Sequence, residues 1–330
     1  MTTAIFAILV GFAGLIWSAD RFVAGAAGIA KGLGMAPIMI GLTIVSIGTS
    51  APEIIVSINA ALENSGALAV GNAIGSNLAN IGLVLGVTAL IAPIPIAKGL
   101  IKREIPLLLA ATLAVIFFVN DNYLSMSDGV IFLLMLAAIF YYLVTSKSHQ
   151  PDAEHEADVE NIPDIDSKKA WLLFIIGLVL LIISSRILVW GAKDIAVSLG
   201  VSELIIGLTI VAVGTSLPEL AATVASALKG HHDIAIGNVI GSNLFNLLAV
   251  MAMPALINPT ALEPEVFNRD YLAMTAITLL LTALLCAHYF FTPDRAKQTA
   301  STSVGRIGRV EGGLLLLVYG AYYYLLFPMS

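Results

Sequence analysis

The chain has 330 residues, of which 58% are hydrophobic and 12% are charged, and its formal net charge is −6. Soluble domains carry about 25% charged residues, so this chain cannot cover a globular core with a solvated surface. Its single cysteine, Cys286, excludes an intramolecular disulfide and a four-cysteine metal site. The composition predicts an all-α integral membrane protein. The expected partner is the lipid bilayer, and no nucleic acid or obligatory protein partner is indicated.

Ten apolar segments follow one another along the chain, and each predicts a membrane helix of about 20 residues. They cover residues 4–30, 36–62, 67–91, 104–119, 128–145, 170–197, 203–228, 233–257, 271–291 and 310–328. A polar stretch between the fifth and sixth segments contains seven acidic residues: Asp152, Glu154, Glu156, Asp158, Glu160, Asp164 and Asp166. We therefore divide the chain into a first half, 1–145, an acidic loop, 146–169, and a second half, 170–330.

The two halves repeat one another at an offset of 166 residues. Residues 40–53 read IGLTIVSIGTSAPE and residues 206–219 read IGLTIVAVGTSLPE, with eleven of fourteen positions identical. Residues 69–80, AVGNAIGSNLAN, and 235–246, AIGNVIGSNLFN, share nine of twelve. Shared hydrophobicity would not place GTSxPE and GNxxGSNxxN twice in one register. The pattern indicates an internal duplication whose most similar parts are 40–80 and 206–246.

The number of segments in each half predicts how the halves are oriented. Five is odd, so the second half enters the membrane from the opposite side, which gives the inverted repeats found in secondary transporters. Loops on one side carry only Arg269. Loops on the other side carry twelve basic residues: Lys31, Lys98, Lys102, Arg103, Lys147, Lys168, Lys169, Lys229, Arg295, Lys297, Arg306 and Arg309. The excess of positive charge in cytoplasmic loops predicts both termini outside and the acidic loop, 146–169, in the cytoplasm.

Two glutamates, Glu53 and Glu219, lie inside apolar segments and occupy equivalent positions in the two halves. A carboxylate in hydrocarbon is costly, so each should face a partner, a cavity or an ion. Each could instead be a neutral structural residue at a helix break. The symmetric pair favours a shared site where the repeats meet.

Prolines predict helix breaks beside both glutamates. Pro52 and Pro218 lack an N–H and should free the carbonyl groups of Gly48 and Gly214. Freed carbonyls inside a membrane need a ligand or water. We predict broken helices in segments 2 and 7, and also in segments 3 and 8.

Neutral oxygen groups accompany both glutamates. They are Thr49, Ser50, Asn72, Ser76, Asn77 and Asn80 in the first half and Thr215, Ser216, Asn238, Ser242, Asn243 and Asn246 in the second. Asn72, Asn77, Asn238 and Asn243 have helix packing as an equal alternative. An all-oxygen set with two negative charges suits hard cations: Ca²⁺, Na⁺, Mg²⁺ or Mn²⁺. One Ca²⁺ or two Na⁺ neutralise two carboxylates, so such a site predicts competition between the two ions.

The paired motifs GTSxPE and GNxxGSNxxN resemble the α-repeats of the cation/calcium exchanger superfamily, and the whole chain resembles its compact prokaryotic YrbG-like branch. The resemblance implies ten helices, sliding of the first and sixth against the other eight, and electrogenic exchange of Na⁺ for Ca²⁺ without a cofactor. It implies that Glu53 and Glu219 bind Ca²⁺ with Thr49 and Thr215 beside them. The remaining implied ligands are Ser50, Ser76, Ser216 and Ser242 at Na⁺ sites, the carbonyls of Ser46 and Ala212, and the central Asn80 and Asn246.

Two departures from the family pattern bear on function. The potassium-dependent branch carries aspartate where this chain has Asn246, so Asn246 argues against potassium cotransport. The short loop 146–169 cannot hold the large Ca²⁺-sensing domains of the animal exchangers.

Other functions remain as alternatives. A Ca²⁺/H⁺ antiporter on the same scaffold is the nearest, because two buried carboxylates could carry protons. A passive cation channel is less favoured, since no ring of charged residues lines a pore. An enzyme is not favoured, because the matched glutamates lack a nucleophile and base. The charged residues of segments 1 and 6 have two interpretations, interfacial pairing or gating: Asp20, Arg21, Arg186, Lys193 and Asp194.

Overall fold

The computed structural model describes residues 1–145, 165–200, 210, 212–291 and 303–326. Its helices are α1 (Thr2–Leu33), α2 (Pro37–Thr49), α3 (Ala51–Leu62), α4 (Gly66–Ile91), α5 (Lys98–Lys102), α6 (Glu104–Val119), α7 (Met126–Thr145), α8 (Ser167–Ser198), α9 (Ala212–Thr215), α10 (Leu217–Leu228), α11 (His232–Ile257), α12 (Val266–Phe290) and α13 (Arg309–Leu326). The helix ends agree with the predicted segments to within a few residues. The beginning of the seventh segment and most of the acidic loop lie outside the described residues.

Six of these helices are long and apolar enough to cross a membrane, or seven if the bent pair α2 and α3 forms one span, counting only the residues described. Their outer faces carry large apolar side chains that would be unusual on a soluble protein, such as Phe6, Phe12 and Leu172. The fold is therefore that of a helical membrane protein, as predicted.

The long helices α1 and α8 pack against each other through glycines. A side chain at Gly11 would meet the Leu188 backbone nitrogen at 2.8 Å, and Gly177 abuts the Phe22 backbone in the same way. Gly11 and Gly177 are 166 residues apart, as are Phe22 and Leu188. Because the partners are exchanged, the two helices run antiparallel and are related by an approximate two-fold axis. Close backbone contact of this kind needs small residues and makes the pair one packed unit.

Helix breaks occur beside both prolines. α2 and α3 meet at Ser50 with a bend of 43°. Ser50 has φ −81° and ψ 4°, and Ser216, between α9 and α10, has φ −89° and ψ 5°. Matching dihedral angles at positions 166 apart show that the two breaks have the same local geometry. The predicted breaks next to Pro52 and Pro218 are therefore present.

The predicted breaks in segments 3 and 8 are wrong. α4 and α11 are continuous, and each instead contains one π-helical stretch, Asn80–Leu85 and Asn246–Val250. α4 contains no proline, and Pro254 of α11 lies eight residues after Asn246, so no backbone donor is removed at either asparagine. The π stretches widen the helix at the two asparagines, as often occurs at functional sites.

Two small antiparallel sheets, which the sequence analysis did not predict, join loops at the helix ends. β1 (Ile94–Ala97) pairs with β4 (Ser303–Ile307), and β2 (Tyr123–Leu124) pairs with β3 (Thr260–Ala261). The first ties the end of α4 to the start of α13. The second ties the start of α7 to the end of α11.

Candidate functional site

The two glutamates occupy equivalent places at the helix breaks. Glu53 lies in the first turn of α3 and Glu219 in the first turn of α10, each directly after a proline. Both are almost completely buried, with exposed fractions of 0% and 1%. The N-terminus of a helix carries partial positive charge, which stabilises a carboxylate in its first turn. The broken helices thus provide a local reason for two acids to be tolerated in the apolar interior.

Contacts between the halves bring the two carboxylates into one cluster. The Ser50 hydroxyl of the first half donates to Glu219 Oε1 of the second at 3.2 Å. The Ser76 hydroxyl of α4 donates to Glu53 Oε1 at 3.4 Å. Because Ser50 stands three residues before Glu53, its contact places Glu219 beside the helix break that carries Glu53.

Thr49 connects the cluster to α11. Its hydroxyl donates to Asn238 Oδ1 at 3.1 Å and lies 3.5 Å from the Ser242 hydroxyl. This contact depends on glycines in α11, because a side chain at Gly241 would meet the Ser46 hydroxyl at 2.6 Å. Ser46 and Ser242 are fully buried.

The sequence analysis missed two positioning residues, Ser57 and Thr223. Asn72 Nδ2 donates to the Ser57 hydroxyl and to the Glu53 backbone carbonyl, each at 3.0 Å. In the second half, Asn238 Nδ2 donates to the Thr223 hydroxyl at 2.9 Å. Ser57 and Thr223 lie 166 residues apart, so the repeat itself was the signal that could have found them. Each asparagine holds a helix that carries a glutamate.

Several buried polar atoms of the cluster have no hydrogen-bond partner among the residues that the structure describes. They are Glu53 Oε2, Glu219 Oε2, the Ser216 hydroxyl, and the side-chain amides of Asn80 and Asn246. Buried polar groups are nearly always paired, so oxygen atoms left over around two negative charges suit a cation bound by oxygen. The described residues contain no group of three or more His, Cys, Asp or Glu that could hold a metal. A cation here would therefore depend on hydroxyl, amide and carbonyl oxygens beside the two carboxylates.

The remaining predicted residues are placed less directly. Thr215 is only partly buried, and Ala212 is described by its backbone alone. The Ser46 carbonyl already accepts the Ser50 N–H at 2.9 Å and the Thr49 hydroxyl at 3.4 Å. The Gly214 carbonyl, expected to be freed by Pro218, accepts the Ser185 hydroxyl of α8 at 2.9 Å. Part of the predicted carbonyl supply is thus taken by protein donors.

A cavity of about 240 Å³ borders the two helix breaks from one side. It lies between α3 and α8 and borders Pro52, Thr215 and Ser185. Pro52 and Thr215 are direct neighbours of Glu53 and Ser216 in the broken regions. The two glutamates do not line the cavity, and both remain buried.

The fold is that of a helical membrane protein in which two buried carboxylates lie among neutral oxygens. The chain matches the sodium/calcium exchanger protein family over residues 3–145 and 169–327 and belongs to that family. It is 44% identical to CaxA of Alkalimonas amylolytica, over 99% of both chains. It is 40% identical to the inner membrane protein YrbG of Escherichia coli (strain K12), over 84% of this chain and 87% of YrbG.

A solved structure is similar as well. The sodium-calcium exchanger NCX_Mj, soaked with Na⁺ and Sr²⁺, superposes with a TM-score of 0.80 at 32% identity, over 98% of both chains. The resemblance found in the sequence motifs is confirmed. The protein is an antiporter of the Na⁺/Ca²⁺ exchanger family.

Proposed function

We propose that this protein exchanges Na⁺ for Ca²⁺ across the cytoplasmic membrane by alternating access to the buried cluster. The observation that supports the proposal most is the convergence of Glu53 and Glu219, each with one carboxylate oxygen that has no partner among the described residues. Two carboxylates balance one Ca²⁺ or two Na⁺. Ions that share ligands in this way exclude one another, and mutual exclusion is the basis of antiport.

The proposed ion ligands are those named from the sequence. Glu53 and Glu219 bind Ca²⁺, with Thr49 and Thr215 beside them. Hydroxyl groups of Ser50, Ser76, Ser216 and Ser242 bind Na⁺ with the carbonyls of Ser46 and Ala212, and Asn80 and Asn246 line the centre. Burial of ten of these twelve residues supports the assignment. The Ser46 carbonyl is the weakest of the proposed ion ligands, because it already accepts two hydrogen bonds within the protein.

We propose ten membrane helices arranged as two inverted repeats, residues 1–145 and 170–330, joined by a cytoplasmic loop, 146–169. The exchanged contacts of α1 and α8 and the equal dihedral angles at Ser50 and Ser216 support this arrangement. The distribution of basic residues supports a location of both termini outside.

Na⁺ is the proposed coupling ion because protons need no cage of hydroxyl groups. If three Na⁺ are exchanged for one Ca²⁺, one net charge crosses per cycle, and the membrane potential contributes about 2.3 kcal/mol per 100 mV. Asn246, in place of the aspartate of potassium-dependent relatives, supports transport that does not need K⁺.

Radioactive Ca²⁺ uptake into proteoliposomes tests the function directly. We expect uptake when the vesicles contain Na⁺ and the bath does not, and none when a pH gradient replaces the Na⁺ gradient. Uptake should not require K⁺, and an inside-positive potential should accelerate it, because net positive charge leaves the vesicle. Uptake driven only by a pH gradient would indicate that the same two glutamates serve Ca²⁺/H⁺ exchange instead. Uptake without any counter-ion gradient would indicate a channel.

A further inference from the structure

The two ends of the route to the cluster differ although the sequence repeats. At one end, Ala222 of α10 is fully buried in a cluster with Ala19 and Phe22 of α1. The equivalent residue of the first half, 166 positions earlier, is Val56 of α3, and it lines the cavity between α3 and α8. The face of α10 at Ala222 is therefore covered by α1, whereas the equivalent face of α3 at Val56 borders a cavity beside α8.

An ion pair spans the closed end. Lys229, at the C-terminal end of α10, places Nζ 2.6 Å from Asp20 Oδ1 of α1. Arg21 lies farther from Asp20, at 3.6 Å, and its guanidinium group sits over the Trp17 ring. The main ionic contact across this end is thus between Asp20 and Lys229.

The offset of 166 residues relates this pair to a second pair in which the acidic and basic positions are interchanged. Asp20 corresponds to Arg186 of α8, and Lys229 corresponds to Glu63 at the end of α3. The two helix ends have the same backbone, with φ −85° and ψ 10° at Glu63 and φ −84° and ψ 0° at Lys229. Arg186 lines the open cavity, and neither it nor Glu63 makes an ion pair with any described residue. The acidic and basic residues are interchanged between the two pairs, so each pair still joins one positive and one negative side chain.

We propose that Asp20–Lys229 and Arg186–Glu63 form alternately and close opposite ends of the ion route. The glycine contacts make α1 and α8 one packed unit, so a shift that packs α8 onto α3 draws α1 away from α10. That shift brings Arg186 to Glu63 and separates Asp20 from Lys229. Each access state then has one ion pair that the other lacks, and such a differential contact sets the balance between two states.

The inference deepens the proposed antiport, but its test requires no transport. In a Cys286→Ser background, Ala222→Cys reports the end closed by α1, and Val56→Cys reports the end beside α8. Both are labelled with a membrane-impermeant thiol reagent in nanodiscs, where both faces are accessible, in choline buffer without Ca²⁺ or Na⁺. The labelling rate of each cysteine then follows the fraction of molecules in which its end is open.

Asp20→Asn or Lys229→Gln should raise the labelling rate of Ala222→Cys about two- to fivefold, the range for ion pairs of this exposure. Glu63→Gln or Arg186→Gln should lower it by a similar factor. The labelling of Val56→Cys should move in the opposite direction in each case. Combining Asp20→Lys with Lys229→Asp should restore the original rates.

Asp194→Asn is the matched control for Asp20→Asn. It also removes one negative charge, but from an exposed residue of α8. It should leave both rates unchanged. Equal effects of Asp20→Asn and Asp194→Asn, or changes of the same sign for the two pairs, would overturn the inference. Since no ion is added, these results are independent of whether Na⁺ drives Ca²⁺ exchange, so a failure here is separable from a failure of the proposed function.

Discussion

Replacing Glu53 or Glu219 by glutamine is expected to abolish Na⁺-driven Ca²⁺ uptake. Glutamine keeps the size of the side chain and an oxygen that can accept the hydroxyl of Ser76 or Ser50, so the fold should persist. What is lost is one of two charges that face each other in a site with few other formal charges. Removing one carboxylate partner of a bound Ca²⁺ is comparable to breaking a buried pair of opposite charges, which costs about 3–5 kcal/mol and corresponds to a loss of Ca²⁺ affinity of more than about 100-fold.

The loss should appear in binding as well as transport. Ca²⁺ should raise the melting temperature of the wild-type protein and leave that of Glu53→Gln and Glu219→Gln unchanged. Without Ca²⁺, both variants should be at least as stable as the wild type, because a buried acidic group is replaced by a neutral amide of the same size. Glu263→Gln, at an exposed residue of the loop before α12, is the control and should behave as wild type. Near-normal uptake by either site variant would remove that residue from the site.

Replacing Gly241 by alanine is expected to separate α2 from α11 and to reduce Ca²⁺ affinity. The added methyl group would meet the Ser46 hydroxyl at 2.6 Å and the Leu42 Cα at 2.7 Å. Backbone cannot move aside locally, so overpacking of about 1–3 kcal/mol is expected. The Thr49 contacts to Asn238 and Ser242 cross this same interface and should lengthen. Melting temperature and Ca²⁺ affinity should therefore fall together.

Gly320→Ala is the matched control for this substitution. Gly320 lies in α13, where no described atom comes within 4 Å of the added methyl group. Alanine is also about 1 kcal/mol more favourable than glycine within a helix. The control should keep Ca²⁺ affinity and should not lower the melting temperature. If Gly241→Ala behaved like Gly320→Ala, close contact of α2 and α11 would not be needed for the site.

The sequence predicted the local structure around the two glutamates well, because the motifs occur in both halves. The repeated motifs located Glu53 and Glu219, the breaks at Pro52 and Pro218, and the helix ends to within a few residues. Helix ends follow from local changes in hydropathy, and helix breaks follow from proline. Both can therefore be found in a single sequence. The same repeat aligns Ser57 with Thr223, but the sequence analysis did not select them, and their role became clear only from the donation by Asn72 and Asn238.

Other features depend on packing that the sequence does not express locally. The π stretches at Asn80 and Asn246 replace the expected breaks because no nearby proline removes a backbone donor. The four short strands have too few residues to show alternation. The asymmetry between Val56 and Ala222 could not be predicted at all. The two halves have similar sequences, so the sequence does not indicate which of the two positions is covered. Only the three-dimensional arrangement shows that Ala222 is covered by α1.

Competition between Ca²⁺ and Na⁺ for one site is the central claim, and equilibrium binding tests it most directly. Radioactive Ca²⁺ bound to purified protein would be measured at increasing Na⁺, with choline keeping the ionic strength constant and pH fixed. If Glu53 and Glu219 serve both ions, Na⁺ should displace all bound Ca²⁺, and the apparent Ca²⁺ dissociation constant should rise more steeply than linearly with Na⁺. Ca²⁺ binding that Na⁺ leaves unchanged, while acid displaces it, would contradict the account.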